Sequence, residues 1–152
     1  MSAEENLRRL GITLPEPPDP VASYVPAVRS GDLLFVSGQG PMRSGEQVYT
    51  GKLGAELGEE EGREAARLCA LNLLAVTRAQ LGSLDEVRRV VKLLAWVASA
   101  EGFTRQPFIV NGASDLLVEV LGEAGRHARS AIGTNELPFG IPVEIEMVVE
   151  AR

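Results

Sequence analysis

Residues 89–98, Arg-Val-Val-Lys-Leu-Leu-Ala-Trp-Val-Ala, are β-prone and apolar on both faces. Successive strand side chains alternate, so Val91, Leu93, Ala95 and Val97 share one face and Val90, Lys92, Leu94 and Trp96 the other. A strand of this kind belongs in the middle of a sheet that is covered on both sides. Helices of the same chain supply one cover. The other cover asks for a partner.

The helices are legible from their periodicity and their ends. Residues 59–81 read as a helix that opens on Glu59, Glu60 and Glu61 and stops at Gly82. Its middle, 68–76, is apolar except for Asn72, so it too must be covered on more than one side. Residues 106–121 read as a second helix, with Ile109, Ala113, Leu116, Leu117, Val120 and Leu121 forming its buried stripe. The last strand, 143–150, alternates: Val143, Ile145, Met147 and Val149 face a core, while Glu144, Glu146 and Glu150 face the other way.

The remaining segments complete the layout. Strands at 24–28 and 33–37, joined by Arg29-Ser30-Gly31-Asp32, read as an N-terminal hairpin. Residues 42–58 are glycine-rich loop with at most a short strand at 47–50. Residues 127–132 form a strand and 136–140 a turn. Residues 1–20 read as an arm, a short helix at 4–10 followed by the extended run Pro15-Glu16-Pro17-Pro18-Asp19-Pro20. Residues 21–152 read as a single domain of α+β class, a sheet with two helices packed on one face. Seven aromatic residues among 152 are too few to cover the second face, which points to a homo-oligomer.

Charge and composition exclude several functions. The net charge of −6 disfavours non-specific nucleic-acid binding. A single cysteine, Cys69, allows no intrachain disulfide and no cysteine-based zinc site, and a single histidine, His127, allows no His-rich metal site. No apolar run approaches the length of a membrane span, and the first ten residues are too charged for a signal peptide, so a soluble cytoplasmic protein is expected. Phosphate-binding loops, HExxH and GxSxG are absent; Gly38-Gln39-Gly40-Pro41 lacks the third glycine and the helix of a dinucleotide fingerprint.

The residues that can carry chemistry are few. Glu144 and Glu146 share a strand face, where one can orient water; equally, they can be the solvated face of an edge strand. Arg129, mid-strand between Ala128 and Ser130, needs an anionic partner, either a substrate carboxylate or a structural one. His127 is either a general base or a turn residue. Tyr24 lines a pocket or caps the core, Asn111 is a cleft group or a local hydrogen-bonding residue, and Asn72 is satisfied structurally or marks a subunit contact. Cys69 reads as core, and Trp96 as packing.

Three ordered segments together resemble the Rid, or YjgF-type, family of reactive-intermediate deaminases. They are Ser23-Tyr24-Val25-Pro26 with Leu34 to Pro41; Gly82-Ser83-Leu84-Asp85-Glu86-Val87 with Val90-Val91-Lys92; and Ala128-Arg129-Ser130-Ala131 with Glu136-Leu137-Pro138 and Val143-Glu144-Ile145-Glu146. The set spans roughly residues 20–150. The resemblance implies a chorismate-mutase-like fold and a homotrimer whose sheets form a central barrel, with ligand clefts between subunits. It implies hydrolysis of small 2-imino acids, or their enamine tautomers, to 2-keto acids and ammonia, without metal or organic cofactor. Arg129 matches the carboxylate-binding arginine and Glu146 the residue that orients water. Tyr24, Gly38 and Asn111 match cleft positions, and backbone near Gly38 and Ala131 is placed to hold substrate.

The chain also departs from the pattern. Ala131 stands where the family has a cysteine, which alters the pocket wall. The arm and the 42–58 loop are long, and Gly125-Arg126-His127-Ala128-Arg129-Ser130 resembles a distinct branch in which His127 replaces part of the usual pocket. The competing expectation is a non-catalytic trimeric sensor of small carboxylates. An endoribonuclease, with nucleic acid as partner, fits the acidic composition poorly.

Overall fold

A computed structural model describes residues 1–20 and 22–152. The domain boundary expected at residue 21 falls on the single residue outside that set. The described chain runs α1 (Ala3–Leu10), β1 (Ala27–Ser30), β2 (Leu33–Gln39), β3 (Met42–Arg43), β4 (Glu46–Gln47), α2 (Glu59–Leu81), β5 (Val87–Ala98), α3 (Gln106–Leu121), β6 (Ala128–Thr134) and β7 (Val143–Ala151). The main sheet has the order β1-β2-β7-β5-β6, and β3 and β4 form a separate two-stranded ribbon. All main-sheet neighbours are antiparallel except β5 and β6, which are parallel and joined through α3. The result is the expected mixed sheet with α2 and α3 on one face.

The core lies between that face and the helices. Leu34 and Val36 of β2, Leu93, Ala95 and Val97 of β5, and Val143, Ile145, Met147 and Val149 of β7 are buried against Leu73, Val76, Ile109, Leu116 and Leu117. Both long helices end where glycine allows it: Gly82 caps α2 at φ 85° and Gly122 caps α3 at φ 62°. The opposite sheet face is uncovered yet apolar. Val28, Phe35, Val148, Leu94, Trp96 and Ile132 lie there, with Phe35 47% and Ile132 44% exposed.

Four details differ from the sequence pattern. The first strand begins at Ala27 rather than residue 24, because Pro26 has no N–H for the ladder, and it continues through Arg29 and Ser30 to a tight turn at Gly31 (φ 61°). A hairpin at Ser44 (φ 53°) and Gly45 (φ 77°) replaces the strand expected at 47–50. In β5 a register shift between Val90 and Lys92 inserts Val91, so Val90 rather than Val91 joins the core face. β7 lies between β2 and β5, so Glu144 and Glu146 are not on an edge strand.

Residues 3–14 lie against the helix layer. Ser2 and Glu5 form a reciprocal cap on α1. Leu7 and Leu14 enter the core, Asn6 donates to the Val120 carbonyl at 2.9 Å, and Glu4 accepts the Leu84 N–H at 3.0 Å.

The α2–α3 contact depends on Gly112. A Cβ there would stand 2.1 Å from the Arg63 carbonyl oxygen, so the two helices must separate to admit one. Gly112→Ala is expected to lower stability by about 1–3 kcal/mol despite the better helix propensity of alanine. A drop in the urea midpoint at unchanged slope checks it.

Candidate functional site

Two groups of candidate residues occupy different places on the sheet. The first lines a cleft of about 740 Å³ beside β2 and β7, which includes Tyr24, Gly38, Glu144 and Glu146. Pro18 and Asp19 of the N-terminal segment, together with Met42, Phe139 and Ile141, also line it.

The local sequence builds this cleft. Between Val36 and Gln39 the β2–β7 register shifts, taking Ser37 and Gly38 out of the regular ladder. The missing side chain of Gly38 makes room for Glu144, whose carboxyl carbon and Oε2 lie 3.1 Å from where a Cβ would stand. Asn72, buried in the middle of α2, donates to the carbonyls of Gly40 (3.2 Å) and Met42 (3.0 Å) and so fixes the loop after β2. Gln47 donates to the Phe139 carbonyl at 3.0 Å and holds the turn that carries Phe139. Glu144 is half-buried, and burial first and the Glu146 carboxylate second raise it above its ordinary value of 4.5.

The second group lies at the β6 edge. Arg129 pairs with Leu93, whereas Ser130 and Glu146 both pair with Leu94. Paired residues share a face, so Arg129 points to the helix side and Glu146 to the open side, with β5 between their strands. One chain therefore does not bring Arg129 and Glu146 to the same small molecule. Ala131 shares the Arg129 face and packs on the core.

A hydrogen-bonded chain holds Arg129. Its Nη2 donates to the Pro107 carbonyl at 2.9 Å and its Nη1 to Ser114 Oγ at 3.0 Å. His127 Nδ1 lies 2.6 Å from the Gly125 carbonyl, which only accepts, so this nitrogen carries the proton. Nε2 then accepts the Ser114 hydroxyl at 2.9 Å. Both ring nitrogens of His127 are thus engaged inside the protein. Burial first, and the Arg129 charge besides, lower His127 below its ordinary value of 6.5, against a smaller opposing effect of the Gly125 bond. Asn111 is half-buried on the same side of α3, between Pro107 and Ser114 at helical spacing.

Sequence reasoning does not find Ser114. Its only signal is its position three residues after Asn111, on the helix side that faces Arg129. Cys69 is fully buried, and burial pushes its thiol well above its ordinary value, which leaves it a core residue. A shallower groove between α2 and α3 holds ion pairs already formed, Arg63–Asp115 at 3.4 Å and Arg67–Glu119 at 3.8 Å. Among the described residues no three His, Cys, Asp or Glu side chains gather as metal ligands, and no helix is long and apolar enough to cross a membrane.

Comparison with known proteins gives the family. Residues 4–147 match the family described as "YjgF/chorismate_mutase-like, putative endoribonuclease". The chain is 51% identical over 146 residues to Protein TCP17 of Trypanosoma cruzi, covering 95% of this chain and 91% of that one. It is 31% identical over 140 residues to a 2-iminobutanoate/2-iminopropanoate deaminase of Dermatophagoides farinae, covering 91% and 93%. Its fold is similar to the crystal structure of a protein of unknown function from Agrobacterium tumefaciens, with a TM-score of 0.91 at 47% identity over 99% of this chain and 92% of that one. The chain belongs to the YjgF/chorismate-mutase-like family of Rid proteins.

The neutral His127 has a thermodynamic consequence. Below pH 6.5 an unfolded histidine binds a proton that the folded one resists, so stability is full above that value and is lost as pH falls through the lowered folded value. His127→Gln is expected to remove this component. Urea midpoints from about pH 8 to about pH 5 check it: the wild type should lose more stability over that range than the variant.

Proposed function

We propose that the chain assembles as a homotrimer and hydrolyses small 2-imino acids, or their enamine tautomers, to 2-keto acids and ammonia. Arg129 of one copy grips the substrate carboxylate, and Glu146 of the neighbouring copy positions the attacking water. The observation that carries this reading is the separation of the two residues. Each lies among other candidate site residues, yet they occupy opposite sheet faces with β5 between their strands. A shared site then needs two copies. The uncovered apolar sheet face supports assembly, and the deaminase name of one relative supports the substrate class.

The chemistry asks little of the protein. A planar guanidinium binds a carboxylate bidentately and fixes the orientation of the C=N bond. A protonated imine is already electrophilic, so a carboxylate that orients water and takes its proton suffices for attack. Tyr24 and Gly38 shape the Glu146 side of the cleft, and Asn111 and Ala131 the Arg129 side. His127 acts through Ser114 on the orientation of Arg129. No metal or organic cofactor enters the reaction. Residues 21–152 form the catalytic domain, and its place of work is the cytoplasm.

The endoribonuclease name attached to the family fits this chain less well. Asp19, Glu144 and Glu146 line its cleft, and its net charge is −6; both oppose a phosphodiester backbone.

Two measurements test the reading. Sedimentation should give a particle of three 16.3 kDa chains. Wild-type protein should accelerate ammonia and keto-acid release from an imine generated in situ by an amino-acid oxidase, and Arg129→Ala should lower that rate by about 10²-fold or more. A rate equal to that in buffer refutes the activity. Ligand-dependent thermal stabilisation without turnover would instead assign a sensor.

A further inference from the structure

We infer that the grip of Arg129 on a carboxylate is controlled by one proton: neutral His127 fixes the Ser114 hydroxyl as an acceptor for the guanidinium, and protonated His127 turns Ser114 against it and loosens the bound anion. His127 and Ser114 are positioning residues that act on the ligand through Arg129. Their role rests on the reading of Arg129 as the carboxylate holder and adds a condition to it.

Counting protons fixes the directions. A guanidinium has five N–H groups. One on Nη1 goes to Ser114 Oγ at 3.0 Å, and one on Nη2 goes to the Pro107 carbonyl at 2.9 Å. Nε–H and one N–H on each Nη are left, enough for a two-point hold on a carboxylate. Among the described residues no carboxylate lies within 4.0 Å of Arg129. Ser114 has a single hydroxyl proton, which goes to His127 Nε2 at 2.9 Å. The lone pairs of its Oγ are then free for Arg129.

A second proton on His127 has one place to go. Nδ1 already carries a proton toward the Gly125 carbonyl at 2.6 Å, so the new one binds Nε2. The ring then donates to Ser114 Oγ, and the hydroxyl proton must turn away. Two cations now point at one oxygen, less than about 6 Å apart. Their repulsion falls on Arg129, whose remaining anchor is the Pro107 carbonyl. An imidazolium also attracts an anion through space. Both of its N–H groups are turned inward, however, and salt screens that attraction. A displaced guanidinium loses the preset geometry on which two-point binding depends.

The charged groups around His127 are engaged elsewhere. On α3, Asp115 beside Ser114 is paired with Arg63 of α2 at 3.4 Å. In the turn before His127, Glu123 is paired with Arg126 at 3.1 Å. On β5, Lys92 is bonded to Ser130 at 3.3 Å. Burial and the Arg129 charge hold the ring below its ordinary value of 6.5, so the loosening sets in on the acid side of that value. On the proposed assembly, Glu144 and Glu146 of the neighbouring copy also titrate near Arg129. They do so alike in wild type and in His127 variants, so the difference between proteins isolates His127.

The chain has one histidine, so its titration can be followed directly. The probe is 2-oxobutanoate, a 2-keto acid whose carboxylate stays ionised from about pH 8 to about pH 5. Its calorimetric Kd for wild type should weaken about tenfold over that range. His127→Gln keeps an acceptor toward Ser114 and does not titrate, so its Kd should change less than about twofold beyond any change shared with Ser114→Ala. Ser114→Ala should bind more weakly at about pH 8 and lose the His127-dependent part. Linkage is reciprocal, so saturating 2-oxobutanoate should lower the proton affinity of His127 by about the same tenfold, read by NMR of the histidine-labelled wild-type chain. An unchanged proton affinity marks a merely structural His127, and a raised one marks through-space attraction. Either result overturns the inference, as does the same pH dependence in wild type and His127→Gln. Those results leave carboxylate binding standing. Wild-type protein that neither binds 2-oxobutanoate nor turns over an imine overturns the imine reading as well.

Discussion

Two adjacent leucines on β5, Leu93 and Leu94, point to opposite faces of the sheet, and this alternation places the functional groups of the chain. Arg129 follows Leu93 to the helix side, and Glu146 follows Leu94 to the open side. The alternation is strict because a one-residue slip would turn every core side chain of β5 outward. The Val91 bulge shows how tightly that rule is enforced. Where the core needs Val90 as well as Leu93, the strand takes an extra residue to correct the parity.

The two places on the sheet are then unlike each other. The β2–β7 end offers a cleft with Asp19, Glu144 and Glu146. The β6 edge offers a guanidinium held by Ser114 and the Pro107 carbonyl. A surface that meets a different surface of its own copy builds a ring when the rotation closes. On the proposed assembly, the opposite charges of the two places favour that pairing, and a small anion held by Arg129 enters a cleft in which Glu146 positions the water.

Much of this was legible in the sequence where the signal is local. The bounds of α2 and α3 follow from Glu59 to Glu61, Gly82 and Gly122, each of which acts within one helical turn. The apolar character of both faces of β5 and the inward face of β7 follow from alternation. Pairing partners are not local. The Val90–Lys92 bulge and the interior place of β7 depend on strands remote in sequence. The site shows the same division. Tyr24, Gly38 and Glu146 line one cleft, whereas Ser114 enters only because α3 crosses the β6 edge.

Mixing two inactive variants tests the two-copy site most directly. Arg129→Ala and Glu146→Gln chains, each inactive alone, are unfolded together and refolded. With one group from each of two copies, random reassembly leaves about a quarter of the clefts with both native residues, and about a quarter of wild-type activity returns. A mixture as inactive as its components would place Arg129 and Glu146 in the same copy's site and contradict the arrangement derived from the sheet register.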